Sequence, residues 1–484
     1  MNQDISGTSG SYKWLVLVTV AIANFSAALD TSIVIISFPR LTDVFNTDAS
    51  IVVWLVIAFS IAELGLLLTL AKVGDTIGRK KVYVSGLILY TLGLIFCSVS
   101  PNISLLIISR IVQGAGAAMT LTVGGAIVVA VFPDEQRGRA IGILAMLVSL
   151  GLIAGPALGG LIIDHLDWQG LFYTRIPVGV ISIIMAIMII KEQKEPGAHL
   201  QLDIGGALAL LGFTSCLLLY LNLGGDWGYL SINTLAFGIA AIVLLGIFIF
   251  IETKVTQPIL DLRLFRSRVF TMASVTNLIQ MMGGSQGPVL VPFFLIGGLL
   301  LSASTIGLLI ALIAIPPVIL SPISGWLSDK IGNRIPMVFA TICFSAGLFL
   351  ASRWDIDSKI IEISLVMVLF GTGMGIFMAP NQSAVIGAAP SRNLATALGV
   401  ANAMRLLGAS IGTALGGTLY ASQLSASQAK LAAQNIAPDM IDRLSAVESF
   451  QFVILLATFV SIASILTAAF TGKKKSFDNN QIKS

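Results

Sequence analysis

The sequence predicts an all-α polytopic membrane protein with fourteen transmembrane helices. Three observations carry that expectation. Hydrophobic residues make up 56% of the 484-residue chain and charged ones only 11%, against about 25% charged in soluble domains, and mean hydropathy is +0.95. Apolar runs of the roughly 20 residues needed to cross a hydrocarbon core recur along the whole chain. The lysines and arginines collect between alternate runs.

The runs lie near residues 14–38, 51–72, 82–99, 103–132, 139–163, 176–190, 204–223, 233–252, 270–296, 304–327, 335–351, 362–381, 394–420 and 449–470. They are spans 1 to 14. Span 6 is short, and the break between spans 9 and 10 is weakly marked. Span 1 is too long for a signal-peptide core and ends in no small-residue cleavage site, so it reads as an anchor. With the N-terminus inside, inner segments hold 20 of the 28 Lys and Arg, from Lys13 to the tail residues Lys473, Lys474, Lys475 and Lys483. The outer segments hold Arg40, Arg175, Arg353, Lys359, Lys430 and Arg443, and two arginines fall within spans. This bias predicts both termini in the cytoplasm of a multi-pass protein of the plasma (bacterial inner) membrane.

Composition narrows the chemistry. Cys97, Cys216 and Cys343 all sit in apolar runs, and there are only two histidines. Disulfides, a metal centre and a His-based catalytic set are therefore not expected. No G-x-x-x-x-G-K-[ST] loop is present, so no nucleotide site is expected either. The sequence reads as a non-enzyme with no cofactor beyond a proton gradient. Its expected partners are a small molecule, protons and membrane lipids, without nucleic acid, and the chain is expected to work as a monomer.

Internal echoes set the domain plan. GLIAGPALGG (151–160) in span 5 returns as GASIGTALGG (408–417) in span 13. At the same offset Gly114 and Gly116 meet Gly371 and Gly373. AKVGDTIGRKK (71–81) returns as GWLSDKIGNRI (325–335). Spans 1–6 thus repeat as spans 9–14, with 7–8 inserted. The expected units are a six-helix bundle over 1–190, two inserted helices with an amphipathic linker over 191–269, and a second bundle over 270–484 that carries a polar outer loop at 421–448. Repeated halves commonly build a central site between two rocking bundles.

These motifs resemble the major facilitator superfamily, and within it the fourteen-helix drug:proton antiporters. In GDTIGRKK, Asp75, Gly78, Arg79 and Lys80 match the family's cytoplasmic loop motif, with Thr76 in place of the usual basic residue and Ala71 in place of the leading Gly. The second copy keeps Gly325, Asp329, Lys330, Gly332 and Arg334. RIVQGAGAA (110–118) matches the span 4 motif. PILDLRLFRSRVF (258–270) and NAMRLLGASIG (402–412) are similar to segments of the same subfamily. In DHLDWQGLFYTRIP (164–177), Gln169 stands where an Arg is usual and Arg175 where an Asn is usual. The resemblance implies proton-coupled efflux of lipophilic, cationic drugs or toxic organic compounds by alternating access. Export of an anionic or zwitterionic metabolite or lipid is the alternative, and a non-transporting sensor or membrane enzyme the more distant one.

The resemblance and the residues together nominate sites. Asp75 and Asp329 are carboxylates at span ends, where free N–H groups of a neighbouring helix attract them. With Arg79, Lys80 and Arg334 they form a candidate cytoplasmic gate. Charges inside spans are costly and are functional candidates by default: Asp30 in span 1, Glu63 in span 2, Arg110 in span 4 and Arg405 in span 13. A rise of 1.5 Å per residue places them about 12, 18, 10 and 22 Å from the outer ends of their spans, so Asp30 and Arg110 are nearly level. By resemblance Asp30 leads as the proton and substrate residue, with an ion pair to Arg110 as the structural alternative. Glu63 is a second proton or cation site, or a protonated glutamate bonded to a neighbouring helix. Asn402 and Arg405 share a helix face, which suits an anionic group or helix–helix contact. Asn277, Gln280 and Gln286 near Gly283 and Gly284 read as cavity lining, with interhelical hydrogen bonding as the rival.

GLIAGPALGG matches the span 5 exporter motif. Gly151, Gly155 and Gly159 form a flat track at i, i+4, i+8, Gly160 widens it, and Pro156 is a kink or pivot. By resemblance the track packs between the halves. Trp54, Trp168, Trp227 and Trp354 are expected in an interfacial belt. The basic stretch 254–268 is expected along the inner surface on anionic lipid, and 421–448 as a short external helix pair.

Overall fold

The computed structural model describes residues 10–47, 49–192, 203–255, 258–301, 303–390, 393–434 and 437–471. Lys194, Arg392 and the tail lysines lie outside them. Among the described residues there are fourteen helices long and apolar enough to cross a membrane. In chain order the helices are α1 (Gly10–Ile36), α2 (Phe38–Phe45), α3 (Ala49–Val52), α4 (Trp54–Ile77), α5 (Arg79–Ser98), α6 (Ile103–Val131), α7 (Arg137–Tyr173), α8 (Ile176–Ile189), α9 (Ile204–Trp227), α10 (Ile232–Lys254), α11 (Arg268–Gly284), α12 (Gln286–Phe293), α13 (Ala303–Ile331), α14 (Arg334–Ala351), α15 (Ile360–Gly387), α16 (Leu394–Ala432) and α17 (Pro438–Ala469). Helices dominate because lipid offers backbone groups no other partner. The face holding Lys13, Lys72, Arg79, Arg137 and Lys330 is the basic face, and the opposite one is the far face.

The helices form two bundles, α1–α8 and α11–α17. The pair α9–α10 leans on α4, and Tyr229 beyond α9 reaches α16 through Thr418 Oγ1, which donates to its hydroxyl at 3.1 Å. Helices approach closely where glycines remove side chains, as association in lipid requires. Ala71, Ala126, Val129, Ile141, Ala379, Ile386, Leu394, Ala395 and Leu398 form a buried cluster joining the bundles near the basic face. At the far end the buried clusters stay within one bundle or the other.

Several expectations are corrected here. Gly151 and Gly155 lie against Phe25, Ala28 and Ser32 of α1, within their own bundle. Gly408 and Gly412 likewise lie against Leu278 and Met282 of α11. The crossing between bundles is made roughly two and a half to five turns closer to the basic face. There Gly138 and Gly325 touch backbone to backbone and Gly142 meets Ser321. Gly159 is buried, but a Cβ on Gly160 would meet nothing within 4 Å, so Gly160 does not widen the track. Pro156 lies in regular helix; the departure inside α7 is at Asp167 (φ 57°, ψ −176°). There the chain turns into span 6, so the sharp bend expected at Pro156 is found eleven residues later.

Trp168 (2% exposed) and Trp354 (4%) are core residues rather than members of an interfacial belt. Trp168 packs edge-on to Phe45 and Phe172, and Trp354 stacks on Phe294 and Phe450. In the linker, Ile259, Leu260 and Leu264 are buried in the protein core, with Leu260 N–H donating to Glu252 at 3.2 Å. Its apolar side is docked on protein, not lipid, while Arg263, Arg266 and Arg268 stay exposed. Within the 421–448 segment, residues 421–432 and 438–448 are direct extensions of α16 and α17. Gln428 pairs with Asp442 and Ser427 with Glu448 between them.

Candidate functional site

Asp30 lies in α1 with no exposure, and two arginines grip it. Arg110 of α6 donates from Nη1 to Oδ2 at 2.6 Å, and Arg175 donates from its own Nη1 to Oδ1. Arg110 is fixed further: Nη1 donates to Gln113 Oε1 (2.7 Å), Nε donates to the Leu55 carbonyl (3.1 Å), and the guanidinium lies 4.3 Å from the Phe59 ring centre. Arg175 Nε donates to the Leu171 carbonyl at 2.7 Å. The levels estimated for Asp30 and Arg110 meet, as the rise per residue requires. Arg175 was expected in an outer loop; it is 3% exposed and stands at the head of α8. Ile176-Pro177 after it is the available signal, because proline favours the first helical turn and places the preceding residue at the helix start. The three side chains carry a net charge of plus one. Removing charges from water is costly and is offset only when each is paired.

Glu63 of α4 and Arg405 of α16 behave differently. Both are half-buried, Glu63 near the middle of α4 and Arg405 about a third of the way along α16, one on each bundle. Neither makes a direct hydrogen bond or ion pair among the described residues. Asn402, one turn from Arg405, is buried.

The polar residues of α11 and α12 do not line a cavity. Asn277 Nδ2 donates to the Ala401 carbonyl at 2.7 Å, Gln280 Oε1 accepts from Ser464 Oγ at 2.6 Å, and Gln286 Nε2 donates to the Met282 carbonyl at 3.3 Å. All three are at least 95% buried. They tie α11 to α16 and α17 or close on their own backbone.

At the basic face the expected carboxylate–helix contacts are present twice. Asp75 at the end of α4 accepts from Ala395 N (3.2 Å) and Thr396 N (3.0 Å) in the first turn of α16, and from Thr396 Oγ1 (3.2 Å). Arg79 closes on the same carboxylate at 2.9 Å. In the other half, Asp329 of α13 accepts from Gly138 N (2.8 Å) and Arg139 N (3.0 Å) in the first turn of α7. Each acid belongs to one bundle and each helix end to the other, so both contacts hold the bundles together. An anion at a helix N-terminus meets both free N–H groups and the positive end of the helix dipole. Lys80 does not pair with either acid: its Nζ donates to the Ile187 carbonyl at 2.7 Å. Gly78 (φ 130°) carries the turn between α4 and α5 and faces the Glu192 carboxylate. Arg334 is exposed and makes no hydrogen bond or ion pair among the described residues.

Comparison with known proteins places this geometry. The family profile described as Major Facilitator Superfamily matches twice, over residues 20–275 and 272–482. The riboflavin transporter RibZ of Clostridioides difficile is 30% identical over 416 residues, covering 86% of this chain and 90% of its own. The multidrug transporter MdtP of Bacillus subtilis is 30% identical, covering 88% and 78%. The multidrug resistance protein Stp of Mycobacterium tuberculosis is 29% identical, covering 85% and 76%. The crystal structure of the human organic anion transporter MFSD10 (TETRAN) superposes with a TM-score of 0.65 at 13% identity, over 93% of this chain and 99% of that one, a likeness of fold alone. The family and these relatives are transporters, not enzymes.

Proposed function

The chain belongs to the Major Facilitator Superfamily, and from that premise we propose that it exports lipophilic organic compounds, cationic drugs among them, in exchange for protons. The basic face is taken as cytoplasmic and the membrane as the plasma (bacterial inner) membrane. The chain works as a monomer and uses no cofactor beyond the proton gradient.

One observation carries the proposal. Glu63 is a mid-membrane carboxylate, half-buried and without a direct partner among the described residues. Such a group can hold a proton or a cation in turn, because both stabilise the same oxygens and each displaces the other. Asp30, expected to lead, is fully enclosed by two arginines in this state. Its role becomes coupling through that cluster rather than first contact with cargo. The paired Asp75 and Asp329 contacts hold the basic face shut, and their release gives the alternate state.

The multidrug names of MdtP and Stp support a drug-like cargo. The name of RibZ supports the alternative of a metabolite, as do the two arginines held on the single carboxylate of Asp30. Export is tested in proteoliposomes under an imposed pH gradient, with a panel of lipophilic fluorescent dyes. Dye movement against its own gradient, abolished by an uncoupler, is the expected result; no gradient-driven movement of any dye rejects export.

A further inference from the structure

Resting on the export reading, we infer that Glu63 and Arg405 are the two poles of one binding site between the bundles, and that it takes a lipophilic zwitterion. The cationic group of the cargo lies on Glu63 and its acidic group on Arg405.

The register of α4 against α16 brings the poles level. The helices run antiparallel, with Asp75 on Ala395 and Thr396 at the basic face. One turn further in, a Cβ on Gly399 would meet the side chains of Ala71 and Leu68 at 3.1 Å. From that contact Glu63 is eight residues further along α4 and Arg405 six along α16, about 12 and 9 Å at 1.5 Å per residue. Their depths therefore differ by about 3 Å. They share a level without touching, since neither makes a direct hydrogen bond or ion pair among the described residues. Both are half-buried rather than closed off, and the cargo is inferred to lie between them.

Charge balance selects the cargo. The charges that matter here are Asp30 and Glu63 against Arg110, Arg175 and Arg405. The first acid is used up by two arginines, which leaves one acid, Glu63, and one arginine, Arg405, without a direct partner among the described residues. A simple cation on Glu63 leaves the guanidinium of Arg405 unpaired in low dielectric, and a simple anion leaves Glu63 unpaired; either costs free energy that a zwitterion avoids. Arginine also suits the planar, two-oxygen geometry of a carboxylate. Because the poles belong to different bundles, a bound zwitterion bridges them and stabilises the state in which they are level.

Rhodamine B and its methyl ester test this, since they share one cationic ring system and differ in a free carboxylate. Binding is measured by fluorescence polarisation to purified protein in nanodiscs, with no pH gradient. The native protein should bind the free acid at least tenfold more tightly than the ester. Arg405→Gln should remove that preference by weakening the acid alone, and Arg405→Lys should restore part of it. No binding of the acid, or ester binding as tight or tighter, overturns the two-pole site without reference to any variant. Preference retained in a monodisperse Arg405→Gln protein overturns it as well. Preference without pH-driven flux in proteoliposomes supports the site and rejects export. Flux without preference rejects the site and leaves export standing.

Discussion

Asp30 of α1 and Arg175 at the head of α8 meet in the buried core of the N-terminal bundle, although 145 residues separate them. With Arg110 on the other carboxylate oxygen, the pair locks α1, α6 and α8 at one level. The cluster is held by mutual compensation: none of the three charges is tolerable there alone.

Removing one member should therefore cost more than removing an exposed pair. Arg175→Leu leaves Asp30 with one cation, while Asp30→Asn leaves two buried arginines. The second change should lower stability by about 3 kcal/mol or more, seen as a fall in thermal unfolding midpoint in detergent. Arg40→Gln, which opens the exposed Arg40–Asp167 pair, should cost less than about 1 kcal/mol. Equal midpoints for Asp30→Asn and Arg40→Gln would mean the cluster is not the lock described.

The basic-face contacts predict a shift in conformation rather than in folding. Ser328 is 4% exposed and lies where α13 crosses α7. A cysteine at Ser328 should react slowly with a charged maleimide in the otherwise native protein. Asp75→Asn should speed labelling several-fold, since each neutral contact loses charge assistance of roughly 1 kcal/mol. Unchanged labelling rates would separate these acids from the gate.

Glycine positions divide by what lies beside them. Gly325→Ala would push a Cβ into the Gly138 backbone across the bundle interface, where no flexible side chain can yield. Gly417→Ala would meet nothing within 4 Å. Transport should fall at least tenfold in the first and stay near native in the second, at equal expression. Full transport by Gly325→Ala would show that the crossing loosens freely.

Spans, repeats and the charged quartet were legible because their signals are one-dimensional. Hydropathy marks span length, and helical rise converts residue number to depth, which brought Asp30 level with Arg110. The acids Asp75 and Asp329 were legible because carboxylates at helix ends seek free N–H groups. What a residue faces was not legible. Asn277 and Gln280 have the composition of a cavity wall, yet their partners Ala401 and Ser464 become known only once α16 and α17 are placed, and Gln286 closes locally on the Met282 carbonyl. Gly151 and Gly155 showed a track without showing that α1 fills it. Arg175 was misjudged because a loop and a helix head are one residue apart in sequence and opposite in environment.

The most direct measurement compares native protein and Glu63→Gln in proteoliposomes that share one imposed pH gradient and one lipophilic cationic dye. If Glu63 is the group on which proton and cargo alternate, the native protein moves dye against its gradient. The variant then keeps downhill exchange but loses the response to pH, by about tenfold or more. Native-like, pH-driven accumulation by a folded Glu63→Gln protein would contradict that assignment and return the coupling role to the Asp30 cluster.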